Sequence, residues 1–251
     1  MARNIVYLLT GANRGIGKGI VSEILLRPSV TVVATVRKPD AYGAALSALP
    51  TGAGSKIVMV GLDSANEAYS YESLPTRLAA LGVDALDVVI ANAGTSAGFK
   101  SIADTDPTDV LSDIEVNAVG PLRLFKTLRP LLIKNADGQK KFVVLGTAVA
   151  TFNFLGAANF PSTGYGMSKV ALHWFAAKAA VEFKSEGLKI GILHPGWVQT
   201  EFGQALADSV GVAGPPTTLE HSVKTTLQRI DELNEETSGK LFDNEGKLLP
   251  W

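Results

Sequence analysis

Cysteine is missing from all 251 residues. Disulfides, thiolate zinc sites and cysteine nucleophiles are therefore excluded. Histidine is scarce: His173, His194 and His221 stand without metal-ligand spacing, so no metal is expected. A surplus of one charge is missing too. The 23 Lys and Arg residues almost balance 24 Asp and Glu, for a net charge of −1. No nucleic acid or anionic membrane surface is favoured as a partner. No apolar run is long enough to span a membrane, and residues 5–9 are too short for a signal-peptide core. A reducing, cytoplasmic setting is the expectation.

What is present fits an ordinary globular chain, 46% hydrophobic and 19% charged. A chain of this length buries a sizeable core without staples. It carries no linker, repeat or low-complexity tract, so one domain over residues 1–251 is expected. Residues 5–9 (IVYLL) are continuously apolar, the mark of a strand buried on both faces. The glycine-rich stretch TGANRGIG follows, then a helical pattern over 18–27 and a second strand over 30–36 (VTVVATV). Strand, glycine turn, helix, strand is a βαβ unit, and it predicts a parallel sheet. The alternation continues with strands over 56–62, 85–91, 141–145, 189–194 and 240–242. Helices are expected over 40–49, 70–81, 107–134 (bent at Gly120-Pro121), 163–184 and 219–233. The fold class is α/β: a Rossmann-like, doubly wound parallel sheet of about seven strands with helices on both faces. Residues 150–162 and 201–218 read as irregular loops that shape a crevice at the carboxyl ends of the strands.

Gly11, Gly15 and Gly17 end the first strand and open a helix. Glycine there lets the main chain approach a pyrophosphate whose charge sits at the helix N-terminus. Dinucleotide sites place an acid about twenty residues on, against the adenosine ribose. Here the second strand ends in Arg37-Lys38 instead. Arg37 pairs with a 2′-phosphate where an acid would repel it, and Arg14 in the turn reaches for the same group. NADP(H) is expected over NAD(H).

Within the 163–184 helix, Tyr165 and Lys169 leave the same face one turn apart. An ammonium beside a phenol favours the phenolate and lowers its pKa from about 10. Such a tyrosine exchanges a proton with a substrate oxygen near neutral pH. With five tyrosines in the chain, the spacing alone is commonplace; its weight comes from the elements around it.

With the glycine turn, Asn92-Ala93-Gly94 after the fourth strand and Tyr165-x-x-x-Lys169 in register, the chain resembles the short-chain dehydrogenase/reductase family. The resemblance covers essentially the whole chain. Its ending, Gly246-Lys-Leu-Leu-Pro-Trp251, looks like a subgroup of C-factor-type proteins, sniffer-type carbonyl reductases and fungal norsolorinic acid-type ketoreductases. The resemblance implies hydride transfer from nicotinamide C4 to a carbonyl carbon. Tyr165 is then the proton donor, and Lys169 lowers its pKa and binds the nicotinamide ribose. Asn117 matches the family's fourth catalytic residue, which holds a water joining the lysine to solvent. The cofactor set implied is Gly11, Asn13, Arg14, Gly15, Ile16, Gly17, Arg37, Asp63, Asn92, Ala93, Gly94, Tyr165 and Lys169. Pro195, Gly196, Val198 and Thr200 of the segment HPGWVQT complete it.

One departure stands out. Where the family usually places a serine after the fifth strand, Gly146 and Thr147 fall. Thr147 keeps a hydroxyl able to donate to an oxyanion. A shift of one residue puts Ala148 there, and Ser162 or Thr163 are the substitutes. Two rival readings follow from the residues. A non-catalytic NADP-binding regulator draws on the missing serine. A serine hydrolase draws on Gly94-Thr-Ser96-Ala-Gly98, with His194 or His221 as base.

The stretch between Thr147 and Tyr165 carries Phe152, Phe154 and Phe160, and Phe99, Trp197 and Phe202 lie on neighbouring loops. An aromatic-rich pocket suits a bulky or polyketide-like aromatic ketone, with a general reactive carbonyl as the other option. The 163–184 helix is apolar around much of its circumference, which predicts a homodimer or homotetramer packed through it.

Overall fold

The computed structural model describes residues 3–63, 67–134, 139–156 and 159–251. The elements run β1 (Ile5–Thr10), α1 (Gly15–Leu25), β2 (Val30–Val36), α2 (Pro39–Ser47), β3 (Lys56–Gly61), α3 (Leu74–Ala80), β4 (Val88–Ala91) and α4 (Pro107–Ile114). They continue α5 (Gly120–Ile133), β5 (Lys141–Leu145), α6 (Phe152–Leu155), α7 (Thr163–Glu182), β6 (Lys189–His194), α8 (Glu201–Ser209), α9 (Leu219–Glu232) and β7 (Leu241–Asp243). The strands form one sheet in the order β3-β2-β1-β4-β5-β6-β7, every pair parallel.

Side chains alternate across the sheet, so each strand feeds two cores. Leu8 of β1 and Phe142 and Val144 of β5 face one side, with Leu74, Phe125, Leu128 and Leu172 of α3, α5 and α7. Tyr7, Leu9, Val143 and Leu145 face the other, with Ile20, Ile24, Val223 and Leu227 of α1 and α9. Burial on both faces explains why the strands read as apolar runs rather than alternating ones. The order reverses between β1 and β4. The chain therefore leaves those two strands in opposite directions, and a crevice opens at their carboxyl ends.

Several boundaries differ from expectation. Residues 201–209 form helix α8, because Thr200 caps it by accepting from the Gly203 amide at 3.1 Å. Its apolar side is short, which hides it from periodicity. A single turn, α6, interrupts the expected loop over 150–162; residues 157 and 158 lie outside the described set. The expected helix over 70–81 starts only at Leu74, with Pro75 in its first turn and a separate 3-10 turn at Glu67–Tyr69 before it. Strand β4 begins at Val88 rather than residue 85. The break expected at Gly120-Pro121 comes earlier, as a π-helical turn over Glu115–Val119. Helical backbone runs unbroken from Pro107 to Ile133, so Pro121 lies in its interior, and the π-helical turn just before it accommodates the missing N–H and the ring.

Candidate active site

Six loops at the carboxyl ends of β1 to β6 carry nearly all the candidate residues. After β1, Gly11 and Gly15 adopt positive φ, +71° and +52°. A Cβ on Gly17 would collide with the Gly11 carbonyl and the Asn92 amide, so only glycine lets α1 pack this tightly under the turn. No side chain caps the N-terminus of α1 at Arg14. Its first N–H groups, at residues including Gly15, Ile16 and Gly17, are oriented for an anion.

The loop after β4 is bonded directly to this turn. Asn92 Nδ2 donates to the Thr10 carbonyl at 2.8 Å and the Gly11 carbonyl at 3.2 Å. The Ala93 amide donates to Thr10 Oγ1 at 3.0 Å. Gly94 lies against the catalytic candidates: a Cβ there would stand 3.2 Å from Asn117 Oδ1 and 3.7 Å from Lys169 Nζ. Asn13 and Asp63 sit half-buried after β1 and β3, and Arg37 and Lys38 stand exposed after β2.

Arg14 is exposed at the N-terminus of α1. Its guanidinium pairs with Glu201 at the start of α8, bridging the mouth of the crevice. After β6, Gly196 takes φ +89°, and Ser222 of α9 donates to the Pro195 carbonyl at 2.7 Å. Val198 is buried and bridges to Thr217.

Tyr165 and Lys169 project from α7 into the floor of this crevice. Lys169 is 5% exposed, and its Nζ donates to the Leu145 carbonyl at 2.8 Å. The Nζ is 5.7 Å from the centroid of the Tyr165 ring. Burial pulls the lysine down to about 8. The shift of Tyr165 in this arrangement has causes other than Lys169. Burial pushes the phenol up, a hydrogen bond with Thr147 counters it, and nearby Asp113 raises it further.

Of the hydroxyl candidates, Thr147 is the one whose interaction with Tyr165 shifts the phenol. Its main chain caps a 3-10 turn, Ala148–Ala150, and Oγ1 accepts from the Val149 amide at 3.3 Å. Ala148 lies past it, and the substitutes are otherwise engaged: Thr163 donates to the Lys100 carbonyl at 3.1 Å and Ser162 to Phe160.

Asn117 is completely buried within the π-helical turn. Its side chain accepts from the Thr95 amide at 2.9 Å and donates to the Thr95 carbonyl and Ser168 Oγ at 2.8 and 2.9 Å. Both amide hydrogens are thus used by protein groups, and the oxygen keeps one further lone pair. Sequence reading missed Asp113, one helical turn earlier. It is buried, one oxygen accepts from the Ala97 amide at 2.8 Å, and burial raises its carboxyl. Nothing in its spacing distinguishes it from a surface acid of α4.

The aromatics divide into two groups. Phe99 and Phe202 pack on Tyr165 at centroid distances of 6.0 and 5.4 Å. Phe154 stacks on Phe160, which meets Trp197 edge-on at 5.6 Å. Phe152 is 73% exposed and belongs to neither. Ser96 accepts from the Gly98 amide at 3.2 Å and begins no helix. No histidine hydrogen-bonds it among the described residues. No cluster able to hold a metal occurs among the described residues either, and no helix of these is long and apolar enough to cross a membrane.

The family model for short chain dehydrogenases matches residues 5–211. The chain belongs to the short chain dehydrogenase family. This dehydrogenase is 37% identical over 254 residues to a norsolorinic acid ketoreductase of Dothistroma septosporum, covering 100% of the chain and 94% of that protein. Its fold superposes on an NADPH-bound carbonyl reductase from chicken fatty liver with a TM-score of 0.83, 25% identity and full coverage of both chains. It also superposes on the carbonyl reductase Sniffer of D. melanogaster with a TM-score of 0.85, 23% identity and full coverage of both.

Proposed function

We propose that this dehydrogenase reduces a ketone with NADPH, with Tyr165 as general acid. The observation that carries the reading is the junction at β1, β4 and β5. There an uncapped glycine turn, the Asn92–Gly94 segment and the Tyr165–Thr147 pair share one crevice. The residues suit the cofactor: the α1 amides face a pyrophosphate, and exposed Arg37 meets a 2′-phosphate with no acid in its way. Asn13, Asp63, Asn92, Pro195, Gly196, Val198 and Thr200 line its remaining path, and Lys169 holds the nicotinamide ribose. When bound, NADPH supplies a hydride to the carbonyl carbon.

The protein's own part is to orient the carbonyl and manage one proton. Burial keeps the Tyr165 phenol protonated across the neutral range, so the acid is loaded. Thr147 and Tyr165 converge on the carbonyl oxygen and donate to it as negative charge develops. Tyr165 then releases its proton to that oxygen. Lys169, charged below a pH of about 8, opposes the charge left on the phenolate. The narrow gap at Gly94, shared by Asn117 and Lys169, supports a water relay that returns the proton. The amide of Asn117 fixes Thr95 and Ser168 around it.

The aromatic walls favour a bulky aromatic ketone, and the similarity to a norsolorinic acid ketoreductase points to a polyketide-like one. The outer face of α7, with Met167, Val170, Trp174 and Val181 exposed, makes a self-complementary patch for a homodimer or homotetramer. A reducing compartment, the cytoplasm, fits a chain without cysteine. NADPH consumption across aromatic ketones, quinones and small aldehydes tests the reading. Aromatic ketones are the expected substrates, and Tyr165→Phe lowers kcat by about 10²- to 10⁴-fold. NADPH binding without consumption on any carbonyl favours the regulator instead.

A further inference from the structure

His173 lies one turn beyond Lys169 on the same stripe of α7 as Tyr165. It is 1% exposed. Its Nε2 accepts from the Thr147 amide at 3.2 Å. Behind it, the Trp251 ring meets the imidazole edge-on, with centroids 5.6 Å apart and an interplanar angle of 64°. Asn153 of α6 holds Trp251 by donating to its main-chain oxygen at 2.6 Å. In front, a Cβ built on Gly146 would stand 3.0 Å from Cδ2 and closer still to Nε2. A side chain at 146 and an imidazole at 173 therefore exclude each other. The glycine at 146 and the histidine at 173 are one feature: the ring fills the space a residue-146 side chain would use.

We propose that His173 is a positioning residue for Thr147, its imidazole wedged between Gly146 and Trp251 so that the Thr147 hydroxyl stays against Tyr165. The Thr147 N–H is buried, and without His173 it has no acceptor in this arrangement. A buried donor without a partner turns toward one, and the hydroxyl three bonds away turns with it. Burial and the Lys169 charge hold His173 down near 3. Its Nε2 lone pair therefore stays free to accept at any working pH.

The role in turnover rests on the ketone-reductase reading; the hydrogen bond does not. His173→Phe keeps the ring volume without the acceptor, and His173→Gln restores an oxygen at the reach of Nε2. Amide exchange followed by NMR reads the hydrogen bond, and steady-state kinetics on a ketone the wild type reduces reads its use. In His173→Phe the Thr147 amide exchanges about tenfold faster and kcat falls about tenfold, with KM for NADPH unchanged. His173→Gln recovers both. Gly146→Ala, which pushes the ring aside without changing any residue of α7, reproduces the Phe variant; melting curves and NADPH titration establish that each is folded. Unchanged Thr147 exchange in the Phe variant overturns the proposal. So do equal kcat losses in the Phe and Gln variants, or full turnover in Gly146→Ala. A wild type that binds NADPH but reduces no carbonyl removes the reductase reading, and the exchange result alone then decides whether His173 holds Thr147.

Discussion

The floor and the rim of the crevice are built on opposite terms. On the floor, Asn117, Thr147, Lys169 and His173 are all buried, and each has a protein partner within 3.3 Å. On the rim, Arg37 is exposed and Arg14 pairs with the exposed Glu201. A buried polar group that loses its partner keeps its full desolvation cost, whereas an exposed ion pair is worth about 1 kcal/mol or less. Geometry is therefore fixed on the floor and adjustable at the rim. Chemistry belongs where side chains cannot move, and cofactor choice belongs where one charge can be exchanged without unfolding anything.

The sharpest test of this contrast is Thr147→Val, which removes one floor hydroxyl and keeps the shape. Its kcat should fall by about 10²-fold with the melting temperature little changed. An unaltered rate transfers the oxyanion contact to another group. The floor also predicts acid sensitivity. Burial holds His173 at about 3 and His194 at about 4, against 6.5 in the unfolded chain. Below pH 6.5 the unfolded chain takes up protons that the fold refuses. Stability present above pH 6.5 is thus lost as pH falls toward 4, by on the order of 3 kcal/mol for each histidine. Melting temperature against pH measures it, and His173→Phe should flatten the slope; an equal slope assigns the acid loss elsewhere. At the rim, Arg37→Asp should lower the NADPH-to-NADH preference in kcat/KM by about tenfold or more, through loss of a charged hydrogen bond and added repulsion. A preference that does not move removes Arg37 from cofactor choice.

How much of this could be read in advance follows the same division. The glycine turn and the Tyr165–Lys169 spacing are local patterns, so the sequence carried them to the right strand ends. Helix α8 is hard to read in the sequence because it is only nine residues long, holds Gly203, and starts at the Thr200 cap. The π-helical turn is half legible: Pro121 marks a break in the helix, but the grip of Thr95 and Ser168 on Asn117 comes from two other segments. Asp113 looked like any helix-surface acid until α4 closed on α7. The spacing of His173 in the sequence says nothing of its Nε2, whose use appears only when Thr147 arrives from β5.

The sequence by itself determined the parallel sheet of about seven strands and the family, because apolar runs, glycines and helical spacing act over a few residues at a time. The tertiary structure decided which way the polar groups point. It turned Lys169 to Leu145, Arg14 to Glu201 and Thr147 to Tyr165. Those choices depend on which buried donors and acceptors meet across the sheet, and hydrogen bonds between distant segments leave no spacing in the chain to be read.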